Sequence, residues 1–120
     1  MDTIETGKLG EDLACEYLVK NGYKIIGRNY RINFGEIDII AKKRGLLADK
    51  AIHFVEVKSL SNTETIFPEE HVNFKKQRKL RQLAEIWLSK NKISQNVPYQ
   101  IDIISVSNDK IDFFENVVSG

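Results

Sequence analysis

The chain has 120 residues, 42% hydrophobic and 29% charged, with a formal net charge of +1. These values describe one ordinary globular domain over 1–120 and exclude a disordered or membrane-embedded chain; they leave no global field to gather a polyanion, so such a partner must be drawn by a local patch. Cys15 is the only cysteine, which excludes an intramolecular disulfide and a cysteine-built zinc site, and its place in an apolar pattern makes it a small core residue.

The opening MDTIETGKLGED has no basic n-region and no apolar h-region. No run approaches the roughly 18 apolar residues of a membrane span, so the expected compartment is the cytoplasm. Leu9, Leu13, Ala14, Tyr17 and Leu18 recur at three- and four-residue steps and predict a helix over Thr6 to Lys20, stopped by Asn21-Gly22. Three short segments rich in Ile, Val and aromatics follow, Tyr23 to Arg28, Gly35 to Ala41 and Ile52 to Ser59, and read as successive strands. Lys42 to Lys50 reads as a basic connecting loop.

Leu60 to Glu70 has no periodicity and reads as a loop. With Asn73 as N-cap, Leu80, Leu83, Ala84, Trp87 and Leu88 form an apolar stripe that predicts a second helix ending near Asn91. Tyr99 to Val106 and Ile111 to Phe114, joined by the turn SNDK, are two more strands. The expected fold is α/β, a mixed sheet flanked by helices in the order αβββαββ.

Acids inside apolar strands need an explanation. Side chains alternate along a strand, so Glu56 and Lys58 share one face while Val55 and Val57 take the other; the same rule puts Glu36 and Asp38 on one face, Ile37 and Ile39 on the other. If the two strands pair, Asp38 comes close to Glu56. Buried carboxylates with a single lysine for company lose several kcal/mol of hydration each, so a further cation is called for. Asp38, Glu56 and the Val57 carbonyl form a ligand set for Mg²⁺ or Mn²⁺, and Lys58 beside it suits orienting or deprotonating a water. Glu11, at the edge of the first helix's apolar stripe, is either a further ligand, directly or through water, or a solvated helix acid. The competing account is an ordinary Glu56–Lys58 ion pair with Asp38 capping locally.

GKLGEDLACEYLVKNGYKIIGRNYR, GEIDIIA, FVEVKS, KKQRKLRQLAEIWL and IDIISV, in this order, closely resemble the small bacterial family called UPF0102, or YraN-like. That family is similar in fold to the PD-(D/E)xK nucleases, notably archaeal Holliday junction resolvases. The resemblance implies a restriction-endonuclease-like domain, with the helix acid at Glu11, the lone aspartate at Asp38 and the acid-x-lysine pair at Glu56 and Lys58. Two departures stand out. Asp38 follows Ile37 where the nucleases have Pro-Asp, and the family's frequent Arg-Phe-Asp appears as Gln100-Ile101-Asp102, without an arginine at that edge.

Lys75, Lys76, Arg78, Lys79 and Arg81 surround the polar side of the second helix, and Lys42, Lys43 and Arg44 cluster after the Asp38 strand. With Arg28 and Arg31 they are expected to hold phosphates in a salt-sensitive, sequence-independent way, though a solvated helix face is the ordinary alternative for such a run. His53 should face away from Glu56, and His71 lies before the second helix; neither has metal-ligand spacing. There is no phosphate-binding glycine loop ending in Lys-Ser/Thr and no Gly-x-Ser-x-Gly turn, which argues against ATP hydrolysis and serine hydrolase chemistry. The expected function is Mg²⁺- or Mn²⁺-dependent cleavage of DNA, branched DNA included. The alternatives are a non-catalytic nucleic-acid-binding module and an adaptor that pairs with its own copy along the Ile111 to Phe114 edge.

Overall fold

The computed structural model describes residues 3–60, 74–108 and 110–117, with side chains from residue 9 in the first stretch and from residue 76 in the second. Helix α1 is Thr3–Lys20, followed by strands β1 (Tyr23–Ile32), β2 (Gly35–Lys43) and β3 (Ile52–Ser59), helix α2 (Phe74–Lys90), and strands β4 (Tyr99–Ser107) and β5 (Lys110–Phe114). The order αβββαββ is the expected one. Asn73, His71 and most of the Leu60 to Glu70 segment lie outside the described residues. Gly22, at φ 89°, ends α1 in the left-handed conformation that favours glycine, and the Asn21 amide donates to the Tyr17 carbonyl at 3.0 Å.

The five strands form one sheet in the order β1-β2-β3-β4-β5, antiparallel except for the parallel β3–β4 pair. A parallel pair needs a crossover, and α2 lies within it. The two helices cover opposite faces. Ala14 and Leu18 of α1 pack with Ile39, Ala41, Val55, Ile104 and Val106, while Leu80, Leu83, Ala84 and Trp87 of α2 pack with Ile37, Ile40, Phe54, Ile101 and Ile103. Phe54 sits edge-on to both Trp87 and Tyr99. Cys15 is half-buried beside the α1-side core, as its pattern suggested. No helix among the described residues is long and apolar enough to cross a membrane.

Two expectations about the strands are corrected. Lys42 and Lys43 are not in a loop: β2 continues through them, with Lys42 opposite Lys24 and Lys43 opposite Tyr23. The hairpin extends because long aliphatic stems suit a half-exposed strand while their ammonium ends reach water. Ile37 and Ile39 do not share a face either, since Ile37 packs under α2 and Ile39 under α1. Alternation breaks at Asp38. Between the paired positions Arg28–Ile39 and Tyr30–Ile37, which keep one register, Asn29 of β1 adopts φ 52°, while the register shift of the hairpin lies between Ile25 and Gly27.

One polar cluster lies under the α1-side layer. Asp102, fully buried, faces His53 Nδ1 across 2.7 Å through Oδ2, and its Oδ1 accepts from Gln100 Nε2 at 2.8 Å and from the Asn116 amide at 2.7 Å. Every carboxylate oxygen is thereby satisfied, which makes a buried acid tolerable. Removing it strands those donors. Asp102→Ala is expected to cost about 3 kcal/mol or more in urea unfolding, because a broken buried pair leaves its partner uncompensated; a loss under about 1 kcal/mol would show the cluster to be ornamental.

Candidate active site

The β2–β3 ladder spans only Ile39–Val55 to Ala41–His53. Beyond it the strands part, and the Asp38 carboxylate enters the gap. Its Oδ2 accepts a hydrogen bond from the Val57 amide at 2.8 Å, replacing the backbone partner that a continued ladder would supply. In a strand the N–H and C=O of one residue point to the same edge, so the Val57 carbonyl faces the Asp38 side too. A small crevice there is lined by the apolar Ile37, Phe54, Val55, Leu80 and Ile101 together with the acids Glu36, Asp38 and Glu56.

Asp38 sits in an unfavourable place for a charge. Burial, and then the nearby Glu11, Glu56 and Glu36, raise its pKa from 3.8 to about 6, against the opposing pull of the Val57 hydrogen bond. Glu56 is held differently: the Lys76 ammonium contacts its Oε1 directly, and Lys58 Nζ lies 3.6 Å from the same oxygen. Its other oxygen, Oε2, is buried and has no hydrogen-bond partner. Burial, reinforced by repulsion from Lys76, lowers the Lys58 pKa in spite of the attraction of Glu56.

Gly10 positions the fourth residue. A Cβ there would run into Ser59 Oγ, so its absence lets α1 lie close against the end of β3, and Glu11 follows. The Glu11 carboxylate points into the site's field without a hydrogen bond to Asp38; Arg28 Nη2 lies 3.9 Å from it and 2.8 Å from Asp12. Asp38, Glu56, Val57 and Lys58 are thus together, and Glu11 borders them. Among the described residues, no group of three His, Cys, Asp or Glu converges as a ready-made metal cage. A bound divalent ion would therefore rest on two carboxylates, a carbonyl and water, a set that suits Mg²⁺. The unpartnered Glu56 Oε2 and the strained Asp38 are the features that fit such an ion.

The expected phosphate-binding cations divide. Arg28 is engaged by Asp12, Arg31 by Glu36 at 2.8 Å, and Lys43 by Asp49 at 3.1 Å. Lys76 is inside the site rather than on the polar side of the helix. Arg78 and Lys79 are exposed on α2, and the side chain of Lys75 is outside the described residues. Lys42 is exposed at the far end of β2, four residues from Asp38 and so about 13 Å along the strand, directly opposite Lys24.

The sequence profile of Uncharacterised protein family UPF0102 matches residues 10–106, a span that includes Glu11, Asp38, Glu56, Val57 and Lys58. The chain belongs to the UPF0102 family. A UPF0102 protein of Campylobacter jejuni is 44% identical over 111 residues, 92% of this chain and 91% of its own. The UPF0102 proteins of Dictyoglomus turgidum and Thermodesulfovibrio yellowstonii are 42% and 41% identical, covering 88% and 97% of this chain and 85% and 97% of theirs. Among solved structures, Pyrococcus furiosus SfsA in complex with Ca²⁺ aligns with 95% of this chain at 17% identity and a TM-score of 0.39; this chain spans 64% of its length. A likeness that loose carries no functional weight.

Two features of this UPF0102 chain escape a reading of strands and spacing alone. Lys76 joins the site from a helix 20 residues after Glu56, and nothing in FKKQRKLRQL separates it from its neighbours. The His53–Asp102 pair was signalled only by an acid in the apolar run of β4; His53 does face away from Glu56, on the α1 side.

The raised Asp38 pKa sets a pH dependence. Between about pH 4 and 6 the native carboxyl holds a proton that the unfolded chain has lost, so stability falls as pH rises through that window and then levels off. Asp38→Asn keeps an acceptor for the Val57 amide without the charge. It is expected to be about 1–3 kcal/mol more stable than the parent above pH 7 and no more stable below about pH 4. Urea unfolding at several pH values checks this, and identical curves throughout would remove the strain argument.

Proposed function

We propose that this protein hydrolyses phosphodiester bonds in DNA, with a divalent ion held by Asp38, Glu56 and the Val57 carbonyl. The observation that carries the reading is the parting of β2 and β3, where Asp38 bonds the Val57 amide and Glu56, on the same crevice, holds Lys58 through Oε1 while its Oε2 is left unpartnered. The resemblance to PD-(D/E)xK nucleases, whose acid and lysine positions correspond to Glu11, Asp38, Glu56 and Lys58, supports it. Mg²⁺ or Mn²⁺ bound there supplies Lewis acidity to a phosphoryl oxygen and acidity to a coordinated water.

The chain's own groups do the rest. Asp38 is held through Oδ2 by the Val57 amide, which leaves Oδ1 to face the ion. Lys58 Nζ, next to Glu56, orients the attacking water or takes its proton, and opposes the charge that builds on phosphorus. Glu11 adds negative potential and an outer contact through water. The exposed Arg78 and Lys79 on α2 hold the backbone of the DNA beside the cleaved bond.

Asp38→Ala and Lys58→Ala, incubated beside the parent with branched and linear DNA and Mg²⁺ or Mn²⁺, test this. Each is expected to lose about 10²-fold or more of the cleavage rate; equal cleavage by all three would assign the activity elsewhere. A second reading, a binding module without turnover, is favoured by the lysines that already occupy Glu56 Oε1. It calls for salt-sensitive DNA binding with no divalent-dependent cleavage in the parent.

A further inference from the structure

Glu56 has an uneven environment. Two ammonium groups, from Lys58 of its own strand and Lys76 of α2, meet at Oε1, while the buried Oε2 meets no donor. One lysine would suffice to neutralise this carboxylate, and the second, Lys76, also lies in the field of Asp38, the other acid of the gap. Two ammonium groups on a single oxygen repel each other, and that repulsion is large where burial weakens solvent screening. The second lysine is also costly to place, since a long side chain must be ordered to reach across from the helix. A fixed ion pair would be better served by donors spread over both oxygens.

The position of Lys76 gives it another use. It stands in the first turn of α2, on the helix that also carries the exposed Arg78 and Lys79, and so at the junction between the acid crevice and the basic surface. About a third of its side chain remains exposed, at 31%, so the ammonium has an outward path. We propose that Lys76 is an exchangeable stand-in cation: it neutralises Glu56 until a divalent ion rests between Asp38 and Glu56, and then turns to a backbone phosphate of DNA lying over the same site. This rests on the metal-dependent reading of the site. It makes Lys76 a substrate-binding residue coupled to the ion rather than one more charge on a basic helix. Without a displaced lysine, ion and phosphate would have to be attracted independently; with one, the charge released from Glu56 is delivered to the incoming anion.

The consequence is a pair of opposite effects from one substitution. Mn²⁺ binding to the full chain is followed by electron paramagnetic resonance. Binding of a duplex with uncleavable phosphorothioate linkages, in saturating Mn²⁺, is followed by fluorescence anisotropy. Lys76→Gln and Lys76→Met, the second keeping the length and apolar stem, are expected to bind Mn²⁺ about tenfold more tightly and the duplex about fivefold more weakly than the parent. Lys79→Gln, on the exposed face, is expected to weaken the duplex alone. If the parent binds Mn²⁺ and Asp38→Asn abolishes it, but both Lys76 variants keep the parent's Mn²⁺ affinity, the exchange is refuted while the metal site stands. Equal tightening by Lys79→Gln would reduce the effect to general charge and also refute it. A parent that binds no Mn²⁺, or an Asp38→Asn variant that binds it as well as the parent, would overturn both readings together.

Discussion

The site depends on a single hydrogen bond, from the Val57 amide to Asp38 Oδ2. A continued antiparallel ladder would have given that amide a backbone carbonyl and closed the space between β2 and β3. The chain instead breaks the alternation of β2 at Asp38, opposite a left-handed Asn29, and substitutes a carboxylate for the missing partner. The buried amide is satisfied, as it must be. The strands are free to separate, and the carbonyl of Val57 is left facing a crevice rather than a neighbouring strand.

That substitution brings an electrostatic cost. Asp38 is buried among acids of three elements, Glu11 of α1, Glu36 of its own strand and Glu56 of β3, and its carboxyl resists ionisation accordingly. The protein compensates unevenly. Glu56 receives two ammonium groups and Glu36 is taken by Arg31, while Arg28 is shared between Asp12 and the fringe of Glu11; the Lys76 ammonium on Glu56 also lies in the field of Asp38. In the proposed reading, a divalent ion entering the site would relieve this cost, and so a cost in folding would become affinity.

The remainder of the fold holds this arrangement still. The two apolar layers clamp the sheet from opposite sides, and the buried Asp102 ties β4 to His53 of β3 and to the backbone after β5. The cluster belongs to the half of β3 away from the gap, where the ladders with β2 and β4 are both intact. Glu56 and Lys58 thus project from a strand paired on both sides at its base and on the β4 side alone beyond it. The open edges are β1 and β5, and β1 carries Lys24, Arg28 and Arg31 along its length, a charge distribution that discourages strand addition there.

Local pattern was enough for every element, because apolar residues at periods of two and near 3.6, with Gly22 and the turn residues between them, specify strands and helices through short-range sterics. It was also enough to set Glu56 and Lys58 on one face, since their spacing lies within an unbroken strand. The sequence by itself thus determined the order αβββαββ, the common face of Glu56 and Lys58, and the face of His53. Only the tertiary structure decided that Ile37 and Ile39 point to opposite layers, that Asp38 bonds the Val57 amide, that Lys76 meets Glu56, and that Asp102 meets His53. Those facts depend on register and on the approach of elements distant along the chain. Such contacts are set by the joint packing of both layers, a quantity no window of residues contains.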